Sequence, residues 1–98
     1  MSYFVICTFD LKNATYEDYQ TAYADLAKIG LNKVIVSGQN NKIVIPTTTT
    51  AGQFDGNSAG GVRDYVCEQV KSKFSARRFS SEIFIVVGGD WAWAASST

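Results

Sequence analysis

The 98-residue chain contains no histidine, a single proline, a single methionine and two cysteines. Without histidine there is no His-based nucleophile triad, no His-ligated zinc and no imidazole general base, so any chemistry falls to carboxylates, hydroxyls, thiols, Lys and Arg. The cysteines, Cys7 and Cys67, lie far apart with no short metal-ligand spacing between them, and read as two buried free thiols. Charge is also scarce. Only 18% of residues are charged, and nine basic side chains cancel nine acidic ones, so no global field draws the protein to nucleic acid or to a membrane surface. No run approaches the roughly 18 apolar residues of a membrane span, and "MSYFVICTFD" lacks the basic n-region and long apolar stretch of a signal peptide. The expectation is a cytoplasmic chain with no membrane segment. "GQFDGNSAGG" is rich in glycine but has neither phosphate-loop spacing nor a Lys-Ser/Thr pair, which excludes that mode of nucleotide binding.

What is present is apolar. Hydrophobic residues make up 46% of a chain long enough for one compact domain, residues 1–98, with its own core. From Tyr3 to Phe9 the residues are apolar on both parities, as in a central strand covered on both faces. "NATYEDYQTAYADLAKIG" then takes helical period, with Tyr16, Tyr19, Ala22, Tyr23, Leu26 and Ile29 on one arc and Glu17, Thr21, Asp25 and Lys28 on the other. Thr15 with Asp18 resembles a capping box, and Gly30 stands where a helix C-cap wants positive φ. "NKVIVSG", "QNN" and "KIVIPTTTT" predict a hairpin, and "TAGQFDGNSAGG" a loop offering Asn57 or Ser58 as the next N-cap. A second helix is expected from about Ala59 to Phe74, with Val62, Val66, Val70 and Phe74 on one face, followed by a strand in "SSEIFIVVGGD" and the tail "WAWAASST".

The order β-α-β-β-α-β predicts an α+β, ferredoxin-like sandwich: a four-stranded antiparallel sheet with two helices on one face, plus a short C-terminal tail. Its other face is left bare. Because the first and last strands are apolar on both parities, that face is expected to be covered by a second copy, giving a homodimer.

Four features carry candidate chemistry. Asp10 ends the first strand; it is either a turn former bonding local amides or, brought near a second acid in a dimer, a holder of Mg²⁺ or Mn²⁺ that activates water. Arg63 projects between Val66 and Cys67 on the apolar side of the second helix, and is expected to be largely buried. It must snorkel, pair with Asp55 or Asp90, or bind phosphate near Asp10 as a second catalytic residue. Lys71, Lys73, Arg77 and Arg78 form the densest positive charge, suited to the helix dipole or to RNA phosphates. Trp91 and Trp93 read as anchors closing a core or interface, or as a platform for unpaired bases.

A first strand closing on "VICTFDL" with Asp10, that strand order near a hundred residues, and a short tail resemble the CRISPR-associated Cas-two type proteins and their relatives, the GhoS-type antitoxins and VapD-type ribonucleases. The resemblance implies a homodimer, a tail strand that crosses to the partner, and Asp10 as the metal-linked acid of a small endoribonuclease; the leading expectation is a homodimer that binds single-stranded RNA or cleaves it with a divalent metal, of toxin-antitoxin type. The chain departs from the Cas-two pattern in its lengthy "PTTTTAGQFDGNSAGG" connection, its "GGDWAW" tail and its lack of a strongly basic surface. A reading from a different class is a non-catalytic dimeric protein-interaction module in which Asp10 only shapes a turn.

Overall fold

A computed structural model describes residues 1–98. The chain is α+β: β1 (Ser2–Leu11), α1 (Tyr16–Lys28), β2 (Val34–Val36), β3 (Lys42–Val44), β4 (Thr49–Asp55), α2 (Ala59–Ala76) and β5 (Ser81–Gly88). β1 is central in an antiparallel sheet of order β4-β1-β5, while β2 and β3 form a separate two-stranded hairpin. The expected four-stranded sheet is therefore not formed. Between β4 and the segment before β2 there is only one bridge, in which Asn32 and Ala51 exchange backbone hydrogen bonds of 2.8 and 2.9 Å.

Two sequence expectations fail at this point, for one reason each. "KIVIPTTTT" is not a single strand: β3 ends at Val44, before Ile45 and Pro46, and the threonines lead into β4. Pro46 has no N–H to continue the ladder. The first half of "TAGQFDGNSAGG" is strand rather than loop, because Gly52 serves a close approach of backbones. A Cβ at Gly52 would lie 2.0 Å from the carbonyl oxygen of Gly30. A glycine inside a strand marks such an approach as readily as it marks a turn.

The helices form where their end signals stand. Thr15 accepts from the Asp18 amide while the Asp18 side chain accepts from the Thr15 amide, a complete capping box. Ser58 caps α2 by accepting from the Gly61 amide. Both helices end in Schellman motifs. Gly30, at φ 95°, lets the Leu31 amide donate to Leu26 O and the Gly30 amide to Ala27 O. At the end of α2 the same left-handed position is filled by Arg78, at φ 60°, with the Phe79 amide donating to Phe74 O and the Arg78 amide to Ser75 O.

Alternation along β1 divides the molecule into layers. Tyr3, Val5, Cys7, Phe9 and Leu11 are buried against Ala22 and Leu26 of α1 and Val62, Val66, Val70 and Phe74 of α2, so both helices cover one face. Phe9 is the hub, with aromatic contacts to Tyr19, Tyr23 and Phe74. The opposite face carries Phe4, Ile6, Thr8 and Asp10. Its β4 side is roofed from within the chain: Ile35, Ile43 and Ile45 of the hairpin region and Trp93 line an apolar cleft over Phe4, Ile6 and Ala51. Its β5 side is open, with Phe84 66% and Val86 47% exposed. Covering that face thus begins with the chain's own hairpin and tail, whereas the sequence suggested a second copy alone. No helix is long and apolar enough to cross a membrane.

Candidate functional site

Asp10 points from the last turn of the pleat onto the open face, exposed to solvent. It belongs to β1, not to a turn. Its Oδ1 accepts a 2.9 Å hydrogen bond from the Tyr19 hydroxyl, and that hydroxyl also accepts from the Leu11 amide at 3.1 Å. The partner is thus a side chain of α1 rather than local backbone. An anchored hydroxyl at this position fixes one carboxylate oxygen and leaves the other free.

The sheet supplies a second carboxylate that sequence reading missed. Glu82 of β5 lies directly opposite Asp10 in the antiparallel register. Residues so paired have Cα atoms about 4.5–5.5 Å apart, close enough for their side chains on one face to meet. Like charges so placed repel, and a cation offsets this in part: Lys12 Nζ lies 3.3 Å from Glu82 Oε1. Thr8, Thr48 and Phe84 complete a shallow depression around the two acids. No cluster of three or more side chains suited to binding a metal ion occurs anywhere in the protein.

Arg63 does not join this site. The hydrogen bond from the Gly56 amide to Met1 O places the start of α2 at the start of β1, and the 5.4 Å ring contact of Phe74 with Phe9 places its end near Asp10. Arg63 lies eleven residues before Phe74, about 16 Å along α2 from the Asp10 end, and in the helical layer while Asp10 is on the opposite face of the sheet. Nor is Arg63 buried. Its side chain is 60% exposed and its Nε donates to the adjacent Asp64 at 2.9 Å, with no contact to Asp55 or Asp90. The glycines of the first turn explain the escape, because the guanidinium lies over Gly60, where no side chain fences it in.

The basic run is divided in use. Arg77 reaches α1, donating through Nε and an Nη to the two carboxylate oxygens of Asp25 at 2.9 and 3.2 Å. Asp25 is 4% exposed, although the helical period places it on the polar arc. Its neighbours Ala22 and Ile29, three before and four after, are the sequence signal that places it inward. The Arg77 hydrogen bond holds its carboxyl below the usual aspartate range, burial opposing and the nearby positive charges helping. Arg78 occupies the helix cap, Lys71 is exposed and Lys73 is half-buried. These four residues belong to the helical layer; the acids face the other side of the sheet. The chain matches no family model and no curated protein.

Trp91 stacks on Phe4 with ring centroids 5.8 Å apart, and Trp93 lines the cleft beneath the hairpin. Both tryptophans thus anchor the tail to its own sheet. Both thiols are free. Cys7 is fully buried, and burial pushes its pKa up to about 11.

Proposed function

We propose that the protein is a small ferredoxin-like homodimer that acts on single-stranded RNA as a divalent-metal-dependent endoribonuclease, of toxin-antitoxin type. One observation carries this reading: an exposed carboxylate, Asp10, oriented by the Tyr19 hydroxyl and set opposite Glu82. A turn-forming Asp would bond its own loop amides, and this one does not. The donor set suits Mg²⁺ or Mn²⁺, hard cations that keep several waters and are held by one or two carboxylates with the substrate phosphate. When bound, such an ion activates water and neutralises phosphate charge. The chain's own residues do the rest: Tyr19 fixes Asp10, Lys12 tempers the repulsion on Glu82, and the exposed ring of Phe84 offers a base a stacking surface beside the acids. The architecture fits the ferredoxin-like plan, with its fourth strand reduced to the Asn32–Ala51 bridge.

Asp10→Asn keeps the shape and an oxygen acceptor for Tyr19. Cleavage of a mixed-sequence single-stranded RNA is expected to fall at least about a hundredfold in this variant, and to vanish with chelator in the wild type. Equal cleavage by both proteins would defeat the assignment. Absence of cleavage by either would favour the second reading, a non-catalytic interaction module, which draws support from the exposed apolar strip of Ile6, Phe84 and Val86.

A further inference from the structure

The two edges of the sheet are treated differently. On β4 the outward backbone of Ala51 is already bonded to Asn32, and the hairpin lies alongside. On β5 nothing is paired. The direction of its free groups follows from the register. Lys12 donates to Ser80 O, so the alternate pairs Asp10–Glu82, Thr8–Phe84 and Ile6–Val86 are those that exchange hydrogen bonds with β1. The N–H and C=O groups of Ile83, Ile85 and Val87 consequently point away from the sheet. Natural edge strands are blunted by brevity, Pro, Lys, inward charges or bulges. β5 has eight residues, and from Ile83 to Gly89 it carries no charge and no proline.

We infer that the outer edge of β5 is a strand-addition site and that its occupant is β5 of a second copy, paired antiparallel across a two-fold axis near Ile85. The inference rests on the homodimer of the proposed function and specifies how it is built. Self-pairing is favoured by complementarity in three respects. Both strands offer the same outward donors and acceptors, so Ile85 meets the partner's Ile85 and Ile83 meets the partner's Val87. The parity of faces is preserved, which sets exposed Phe84 against the partner's Val86 and gathers both apolar strips into one patch. Glu82 falls opposite the partner's Gly88, so no like charges are opposed. A dimer packed broadly through the open faces is disfavoured, because the hairpin and Trp93 already occupy the β4 side of that face.

Assembly of this kind gives one continuous sheet, β4-β1-β5 joined to the partner's β5-β1-β4. Both Asp10–Glu82 pairs then lie on the same side of it, their glutamates separated by six residue steps, about 20 Å. A single extended strand of RNA can pass both.

The test is amide hydrogen exchange on the full chain at a series of concentrations, with light scattering on the same samples. In the dimer the amides of Ile83, Ile85 and Val87 are expected to be protected, and to lose at least about tenfold of that protection on dilution to monomer, while those of Phe84 and Val86 stay protected at every concentration. Ile85→Pro removes an outward donor that has no partner within the chain. It is expected to yield a folded monomer, since proline is tolerated where an edge N–H faces solvent. A dimer in which these three amides exchange freely would overturn the inference in favour of face-to-face packing, and a wild-type monomer at the highest concentration would overturn it outright. Protection that does not change with dilution would show another occupant of the edge and also count against it. RNA cleavage plays no part in these measurements, so the mode of assembly and the nuclease reading fail separately.

Discussion

Gly52→Ala tests whether the close approach of β4 to the end of α1 is what makes the glycine-containing segment a strand. A Cβ there would lie 2.0 Å from Gly30 O, 3.1 Å from Gly30 C and 3.3 Å from the Phe54 ring. The first contact is with backbone, which cannot rotate aside, so β4 and the α1 cap must separate by more than an ångström. That movement strains the reciprocal hydrogen bonds of Asn32 with Ala51. Losing two net hydrogen bonds costs about 1–3 kcal/mol, and overpacking a fitted interior costs about 1–3 kcal/mol more. We expect a destabilisation of about 2–6 kcal/mol, a large share of the stability of a domain this size. In urea, at a slope of about 1 kcal/mol/M, the midpoint should fall by about 2 M or more. Gly38→Ala is the matched control, since a Cβ at Gly38 meets nothing within 4 Å. There the change should be near zero or slightly stabilising. Equal midpoints for the two variants would refute the reasoning.

Arg78→Gly should stabilise the fold by about 0.5–1 kcal/mol, seen as a higher urea midpoint, because φ of 60° in the α2 Schellman motif suits glycine and costs a side-chain-bearing residue. Asp25, whose carboxyl is held below its ordinary range by Arg77, contributes stability that is fully present above the unfolded value of about 3.9 and is lost as pH falls through the lower folded value. Arg77→Met should therefore be less stable than wild type at neutral pH, with the gap closing in strong acid; a gap independent of pH would show that the pair is not the cause. Thiol labelling of the native protein should modify half-exposed Cys67 and spare Cys7, which should react only once the chain is unfolded in urea.

Local signals were legible where the cause is local. The capping box at Thr15 and Asp18, the C-cap at Gly30, the apolar face of α2 and the central position of β1 all depend on residues within a few positions of one another, and each forms where the pattern places it. The burial of Asp25 against Arg77 was written weakly in its apolar neighbours, yet the partner is 52 residues away and only packing of the helices brings it there.

The remaining features depend on tertiary structure for the same physical reason: cross-strand register is a property of two segments, and neither segment encodes it alone. Asp10 announced itself at the end of an apolar strand, but the acid facing it is Glu82 because β5 pairs with β1 in one register, and a slip of one residue would send that side chain to the helical face. Gly52 looked like a turn because a missing Cβ permits either a sharp bend or a close contact, and only the Gly30 carbonyl shows which use applies. Arg63 looks trapped in the sequence because helical angle gives direction but not what stands in the way, and in the fold its guanidinium passes over Gly60 to solvent and Asp64. Sequence by itself determined the helices and the identity of the candidate acid; the folded chain decided its neighbours, the side of the sheet it faces and the edge left free for pairing.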